Sequence, residues 1–535
     1  LFLLGAGDDV LPTVERRGGV LDDEDRETLQ QHDIELSNAT FDALDNELQN
    51  IYAALTQPTE YLHVSWPAGD LAGSQLRPSF VVERIRRLFP SVPVTRETGD
   101  YRLLTPAGAL EAAGEHPGGA LWQSFAQSGR WGAALETMRR ARSFDRGRLS
   151  PEAVRALYGS FYRMSASRMD KLRSCHFGYF MQYGLCAKER KAAGFDAPEI
   201  GTFLHYLLEN VNREVRARGG YGAVERAALR GLVRQYLEKY SEEQLGGCRE
   251  KSARFRYLFS RLRTTAYAIV ENVADELSQS DFVPLEFELG FGGRDGQLPA
   301  ITIREGESTL AVTGKVDRVD GWLRDGKLYI RVVDYKTGRK SFDLTEVWHG
   351  LGLQMLLYLF TLEEEGDRIF GTRPIPAGVL YTPARDVILR TERGATEEKI
   401  RAALDKELRR SGMVLAEPEV LQAMEHSALE KPCFLPIEVK KGGTITGGLA
   451  SAAQLGKLGQ YVERLLHEIT DELSSGNINA DPCSRSPQES SCDWCEYASA
   501  CCFEEGRDRR RMMKKVRDSE FWRFIEQETE EVRHG

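Results

Sequence analysis

The sequence predicts an α/β protein, and three stretches carry that prediction. Leu310–Gly338 reads as two strands rich in Val, Ile, Tyr and Thr that meet at Asp325-Gly326. Pro198–Arg218 and Thr345–Thr361 space their apolar residues as helices do. Pro284–Phe291 alternates as a strand and Ala377–Thr382 adds another. The expected order is helix, three strands, helix, strand.

At 535 residues the chain is long enough for two or three domains, each with its own core. No apolar run approaches the length that spans a bilayer. LFLLGAGDDV at the start has no basic n-region or small-residue cleavage site, so it is read as the interior of a larger protein and not as a leader. A cytoplasmic bacterial protein is expected. A net charge of −10 excludes a uniformly basic nucleic-acid coat but leaves room for local basic tracks. Arg139, Arg140, Arg146, Arg163, Arg168 and Lys171 are such clusters, each also readable as a solvated helix face.

Residues 1–90 read as strand, acidic linker, helix, strand, helix. In the expected helix Phe41–Pro58, Leu44, Leu48, Ile51 and Leu55 form one stripe. Ile51–Trp66 resembles motif VI of superfamily 1 helicases, with Gln57 where that family carries an arginine finger. Glutamine cannot stabilise phosphoryl charge in that way. The sequence also has no GxxxxGK[ST] loop. The resemblance therefore implies an inactivated motor over residues 1–150. An ordinary α/β domain is the alternative. Residues 91–165 are weakly patterned, and Ser150-Pro151 is expected to start a helix and a second domain, 151–510. Residues 511–535 are expected to form a basic C-terminal tail helix.

The hairpin carries the chemistry. Asp-Gly supplies the two positive φ angles of a type I′ turn. With those residues as the turn, Arg324 faces Lys327 and Asp317 falls opposite Asp334. Opposed residues share a face with Cβ atoms about 4.5–5.5 Å apart. Lys336, two residues beyond Asp334, points the same way. Two such close carboxylates need a cation between them or a proton on one. Oxygen ligands of this kind suit Mg²⁺. A solvated salt-bridged hairpin face is the alternative. On the helix 198–218, His205 flanks the stripe of Phe203, Leu204, Leu207, Leu208, Val211 and Val215. By itself it reads as a core histidine or a ligand. Val347, Leu351, Gln354 and Tyr358 are expected on one face of the helix 345–361.

GKVD (Gly314–Asp317) followed by VDYK (Val333–Lys336) resembles the RecB-type PD-(D/E)xK nuclease core. Gly201-Thr-Phe-Leu-His205 is similar to that family's GTxxH helix, and Gln354 with Tyr358 to its QxxxY motif. Ser341–Leu359 and the wider chain resemble the AddB family, second subunits of bacterial AddAB helicase–nucleases. The resemblance implies a central mixed sheet flanked by helices. It also implies Mg²⁺ held by His205, Asp317, Asp334 and the backbone carbonyl of Tyr335, with Lys336 placing the attacking water and Gln354 and Tyr358 supporting the site.

Nine cysteines in a chain of this kind point to metal or free thiols. Cys492, Cys495 and Cys501 form CxxCx₅C, a pattern that suits zinc or an iron–sulfur cluster. The AddB resemblance adds Cys175 as the distant fourth ligand and implies a [4Fe–4S] cluster stapling the domain ends. Cys483 and Cys502 lie close enough in sequence to substitute.

The expected function is Mg²⁺-dependent 5′–3′ exonuclease action on the 5′-ended strand at DNA double-strand breaks, ahead of recombinational repair. The expected partners are duplex ends, a single-stranded 5′ tail and an AddA-like helicase–nuclease subunit in a heterodimer near the nucleoid, with no membrane. A catalytically silent DNA-scanning scaffold and a stand-alone iron–sulfur nuclease are the alternatives.

Overall fold

The structure is a computed structural model that describes residues 1–535 except 14–20, 22, 35–39, 71–73, 97–99, 143–145, 189–196, 246–252, 294–295, 388, 390–393, 487 and 535. Parts of the expected acidic linker (14–20, 22 and 35–39) lie outside those residues. The chain divides into two units, Leu1–Ser143 and Phe144–Gly535.

In the first unit, strand Phe2–Leu3 pairs in parallel with His63–Val64. Between them runs the helix Thr40–Thr56, ending beside the exposed Gln57. The second strand expected in this region is two residues long, His63–Val64, matching the two-residue strand it pairs with. Helix Phe80–Leu88 starts on Ser79, whose hydroxyl accepts from the Val81 amide. Within this unit the weakly patterned region includes the helices Pro106–Glu115, Ala120–Gln127 and Gly132–Arg142. They are short, and their apolar faces are built largely from alanine and leucine. On the last of them Arg139 and Arg140 pair with Glu136, a solvated ion-pair face.

In the second unit we label the elements that build the sheet and its cover. Strand β1 is Phe161–Ser165, β2 Val283–Phe291, β3 Ile301–Glu305, β4 Ser308–Arg324, β5 Lys327–Lys336, β6 Ile375–Pro383, β7 Ser411–Leu415 and β8 Leu449–Ala450. Helix α1 is Ala166–Ser174, α2 Ala197–Ala217, α3 Arg226–Leu245, α4 Ala253–Ser278, α5 Gln354–Glu365, α6 Ala452–Ser474 and α7 Asp518–His534. The sheet is mixed and eight-stranded, in the order β8-β7-β6-β5-β4-β1, with β2 and β3 also paired to β4. Strands β5 and β6 are parallel, and β4 runs antiparallel to β5. Among the described residues no helix is long and apolar enough to cross a membrane.

Asp325 and Gly326 have φ of 50° and 75°, and Arg324 pairs with Lys327, so the hairpin closes in the register its turn chemistry dictates. Strand β1 escaped the reading because it is five residues long and is held by pairing with the distant β4, whereas β3, equally short, is joined to β4 by the tight turn Gly306-Glu307, a local signal that was passed over. The expected single helix 345–361 is two helices, Leu344–Trp348 and α5. Gly350 and Gly352 sit between them at φ 73° and 66°, in the left-handed region that no right-handed helix continues through. The supposed common face of Val347, Leu351, Gln354 and Tyr358 is therefore broken, and Gln354 opens the second helix. The glycine-rich stretch 442–448 links the small hairpin Ile437–Val439/Ile445–Gly447.

The core follows from the apolar spacing. Phe203, Leu204, Leu207, Leu208, Val211 and Val215 of α2 are all buried against the sheet layer. Burial of each is worth roughly 1.5–3 kcal/mol, and Phe203→Ala alone would cost about 3–5 kcal/mol. Helix α5 is buried over most of its length, Met355 through Leu362. Helix α6 begins with a reciprocal capping box between Ser451 and Gln454 and buries Leu455, Leu458, Val462, Leu465 and Ile469. Phe521 and Ile525 of α7 enter the same core, and the Phe524 ring stacks on Trp348 at 3.9 Å. The residues expected as a separate basic tail thus include a strand, Arg511–Met512, and a helix with an apolar face.

Candidate active site

The site forms where the pairing of β4 changes partner. Strand β1 accompanies it as far as Thr313, and β5 joins it from Arg318. Asp317 lies just before that junction. Its Oδ2 accepts from the Tyr335 backbone amide at 2.8 Å, so a main-chain donor holds the carboxylate in place. Extending the register of Arg318 and Val333 by one step sets Asp317 against Asp334.

The β5 side chains form a tight cluster. Lys336 Nζ lies 2.7 Å from Asp334 Oδ2 and donates to Gln354 Oε1 at 3.2 Å. The Gln354 amide in turn donates to Asp334 Oδ1 at 2.8 Å and to the Tyr358 hydroxyl at 3.3 Å. Gln354 thereby fixes both Asp334 and Lys336, and Tyr358, edge-on to Phe291, backs Gln354. The left-handed glycines upstream of α5 allow this, because they turn the start of the helix toward the β5 terminus. The Gly352 amide is held there by Asp170 Oδ1 at 2.9 Å.

His205 reaches the site from α2, with Nδ1 3.3 Å from Asp317 Oδ1 and 3.9 Å from Glu288 Oε1. Ligand atoms of His205, Glu288 and Asp317 all lie within 4.8 Å of one another, a spacing that would hold a metal ion. Asp334 stands beside this trio, engaged by Lys336 and Gln354. Tyr335 presents its amide to Asp317 and its side chain to the opposite face of the hairpin.

Glu288 was missed. It sits on β2 between Phe287, paired with Arg318, and Leu289, paired with Val316, and so comes across from Asp317. Its φ of 52° is rare for a residue with a side chain, and such backbone strain clusters at functional sites. Lys315 Nζ pairs with it at 2.6 Å. The available signal was the acidic residue at an alternate position of PLEFELGF. The register across β2 and β4 could not be counted, because no tight turn joins them and the pairing shifts between Pro284 and Glu286.

Electrostatics mark the site as short of positive charge. Burial, reinforced by the Asp317 charge, pushes the Asp334 carboxyl up to about 6, against the pull of Lys336. Burial also raises Glu288, with Lys315 opposing. At His205 burial works to lower the pKa, but the hydrogen bond and charge of Asp317 outweigh it and the net shift is upward. Each shift favours holding a proton among crowded carboxylates, which is also the condition that favours a bound cation.

The cysteine-rich tail returns to α1. Ser491 Oγ donates to the Ser174 carbonyl at 3.2 Å, and the Phe177 amide to the Asn479 carbonyl at 3.0 Å. His176 is bound through its amide and its ring by Asp481. Burial lifts the Cys501 thiol to about 11; Arg146 opposes this, while Cys175, Cys492 and Asp508 add to it. Among the described residues the expected cysteine ligands are not gathered as closely as the ligand atoms of His205, Glu288 and Asp317. Cys495 follows Cys492 in a turn closed by its amide on the Cys492 carbonyl at 3.1 Å. Cys502 is exposed, with φ 48°, and turns its thiol to the Ser499 carbonyl. Cys483 lies in the strand Cys483–Ser486, with Arg511 and Asp481 as its charged neighbours.

Comparison with known proteins agrees with this architecture. The chain is 31% identical over 99% of its length to the B subunit of the ATP-dependent helicase/deoxyribonuclease of Acetivibrio thermocellus, covering 49% of that protein. It is 29% identical to the subunit of that name from Clostridium acetobutylicum and 30% to that from Caldanaerobacter subterraneus subsp. tengcongensis, covering 99% of this chain and 48% of each relative. The chain thus spans about half the length of the curated relatives it matches. Residues 163–502 match the family model of the PD-(D/E)XK nuclease superfamily, a span that contains the sheet, the His205 helix and the acidic cluster, and the chain belongs to that superfamily.

Proposed function

We propose that this chain hydrolyses phosphodiester bonds in DNA with Mg²⁺ and is the nuclease-bearing part of the second subunit of a helicase–nuclease. The observation that carries this reading is the approach of His205, Glu288 and Asp317 to within metal-binding distance beside the Asp334–Lys336–Gln354 cluster. His205, Asp317, Glu288 and Asp334 would hold the ion, with the Tyr335 carbonyl as the further ligand that the resemblance implies. Mg²⁺ bound there supplies Lewis-acid stabilisation of phosphoryl charge and lowers the pKa of water. Lys336, held in place by Asp334 and Gln354, orients the attacking water and offsets charge on the phosphate oxygens. A water O–P bond forms, the scissile P–O bond breaks, and the leaving oxygen ends protonated.

The remaining assignments rest on the relatives and on the motifs. Residues 1–150 are an inactivated helicase-type region used for DNA contact. Residues 151–510 are the nuclease domain and 511–535 its tail. The substrate is a DNA end, the strand cut is the 5′-ended one, and the partner is an AddA-like helicase–nuclease subunit. A [4Fe–4S] cluster on Cys175, Cys492, Cys495 and Cys501 rests on the CxxCx₅C spacing and the AddB resemblance, and on the return of the cysteine-rich tail to the end of α1 beside Cys175. Purification without oxygen, with visible absorption and iron and sulfide analysis, tests the cluster; zinc in place of iron overturns it. Digestion of end-labelled linear DNA with and without Mg²⁺, beside Asp317→Ala, tests the nuclease. Cleavage without Mg²⁺, or unimpaired in the variant, overturns the reading.

A further inference from the structure

The side of the hairpin away from the carboxylates holds a sealed polar network, and Tyr335 is where it meets the site. The Tyr335 hydroxyl accepts from Arg318 Nη1 at 2.8 Å and from Asn212 Nδ2 at 3.2 Å. Asn212 Oδ1 accepts in turn from the Tyr221 hydroxyl. Arg318 is fully buried and clasped by Asp320, at 2.8 Å from Nε and 3.0 Å from Nη2. Neither partner of the phenol is therefore free to move away.

Each bond leads to a different ligand-bearing element. Arg318 is the β4 neighbour of Asp317. Asn212 lies about two turns along α2 from His205. Tyr335 follows Asp334 on β5, its own amide grips Asp317, and its ring meets the His205 ring edge-on at 6.2 Å. One side chain thus ties the helix that brings the histidine to the two strands that bring the aspartates.

We propose that the Tyr335 hydroxyl is a positioning group: by joining Asn212 to Arg318 it sets the spacing of His205 against Asp317 and Asp334, and with it the affinity of the site for a divalent ion. This rests on the metal-dependent reading above. A phenol that merely filled the core would do the same work as phenylalanine. The hydrogen-bonded phenol instead fixes the distance between α2 and the hairpin, which packing alone leaves free to drift by fractions of an ångström.

The test uses the full chain without DNA. Titration calorimetry with Mn²⁺, and then with Mg²⁺, compares the unsubstituted protein with Tyr335→Phe and Asn212→Leu. The expected result is metal affinity lower by about 10-fold in each variant, the scale seen when a group supporting a metal ligand is lost. The double variant should be no weaker than the weaker single one, because both changes cut the same link. The Mg²⁺ concentration for half-maximal cleavage should rise in parallel, with the rate at saturating Mg²⁺ recovering to within about 3-fold. Metal affinity unchanged in Tyr335→Phe, or additive losses in the double variant, overturn the proposal while leaving the nuclease reading intact. Absence of metal binding in the unsubstituted chain overturns both. Should Tyr335→Phe fail to fold, Asn212→Leu decides by the same measurements.

Discussion

The two faces of the β4–β5 hairpin are built from the same kinds of residue. On one face Asp317, Asp334 and Lys336 meet Glu288, Lys315 and His205. On the other Arg318, Asp320 and Arg331 meet Glu276 from α4 and Arg410, and all five are buried. Three guanidiniums there serve two carboxylates. Arg318, Arg331 and Arg410 reach Glu276 at 3.6, 3.1 and 2.7 Å, and Arg331 Nε also reaches Asp320 at 2.9 Å. Although burial pushes the Glu276 carboxyl up, those three charges hold it down at about 2. On the site face three carboxylates share two ammoniums and a histidine, and Asp334 rises to about 6. The sealed face has more guanidiniums than carboxylates, and the site face lacks positive charge. That imbalance, more than the presence of acids, separates a metal centre from a salt-bridge network.

Removing a site carboxylate should give the largest effect. Asp334→Asn or Asp317→Ala should lower Mg²⁺-dependent DNA cleavage by on the order of 10³-fold with the fold retained, since ligands and charge are lost together. Cleavage assays paired with circular dichroism check this, and a variant keeping a tenth of the activity would erase the contrast between the faces.

The sealed face should answer with stability. Glu276→Ala would leave three buried guanidiniums facing the Asp320 carboxylate alone and cost about 3–5 kcal/mol, read as a lower urea midpoint. Glu276, held below its usual carboxylate range, contributes stability that is fully present above pH about 4.3 and is lost as pH falls toward about 2.

Glu288→Gln tests whether the residue that completes the trio belongs to it. Divalent-metal affinity measured by calorimetry should fall by roughly 10–100-fold. An unchanged affinity would return Glu288 to the status of a Lys315 salt-bridge partner.

The smallest expected effect is on pH dependence. Asp334 carries its proton higher in the folded chain than in the unfolded one. Metal-free stability should therefore decline as pH rises from about 4 through about 6, and Mg²⁺ should bind more weakly below about 6, where the proton competes with it. Melting curves with and without Mg²⁺ across this range check both signs. A pH-independent Mg²⁺ stabilisation would contradict the shift.

What could be read in advance was whatever depends on neighbours in the chain. Asp325-Gly326 sets the hairpin, and the hairpin sets Asp317 against Asp334, all within a few residues of one turn. The α2 stripe is equally local. Glu288 was out of reach because β2 finds its register on β4 across an intervening strand and a shift in pairing. Strand β1 is held by β4 from far along the chain, so no local pattern marks it, while the Gly306-Glu307 turn that joins β3 to β4 was a legible local signal. The break before α5 was visible in Gly350 and Gly352, but apolar periodicity was allowed to run through them. The Arg318–Asp320–Glu276 network was equally unreadable, since alternation puts its residues on a face without naming what seals it.

The return of residues 479–525 to α1 and to Trp348 has a consequence for the newborn chain. Every metal-site side chain emerges from the ribosome before the segment that covers Cys175, Trp348 and Tyr461. A polypeptide halted ahead of Asn479 leaves Trp348 and Tyr461 without the rings that pack on them and Cys175 without its late companions. The domain is therefore finished by its last-made portion, and a prematurely terminated product would carry the acids without the segment that packs on the end of α1 and on Trp348.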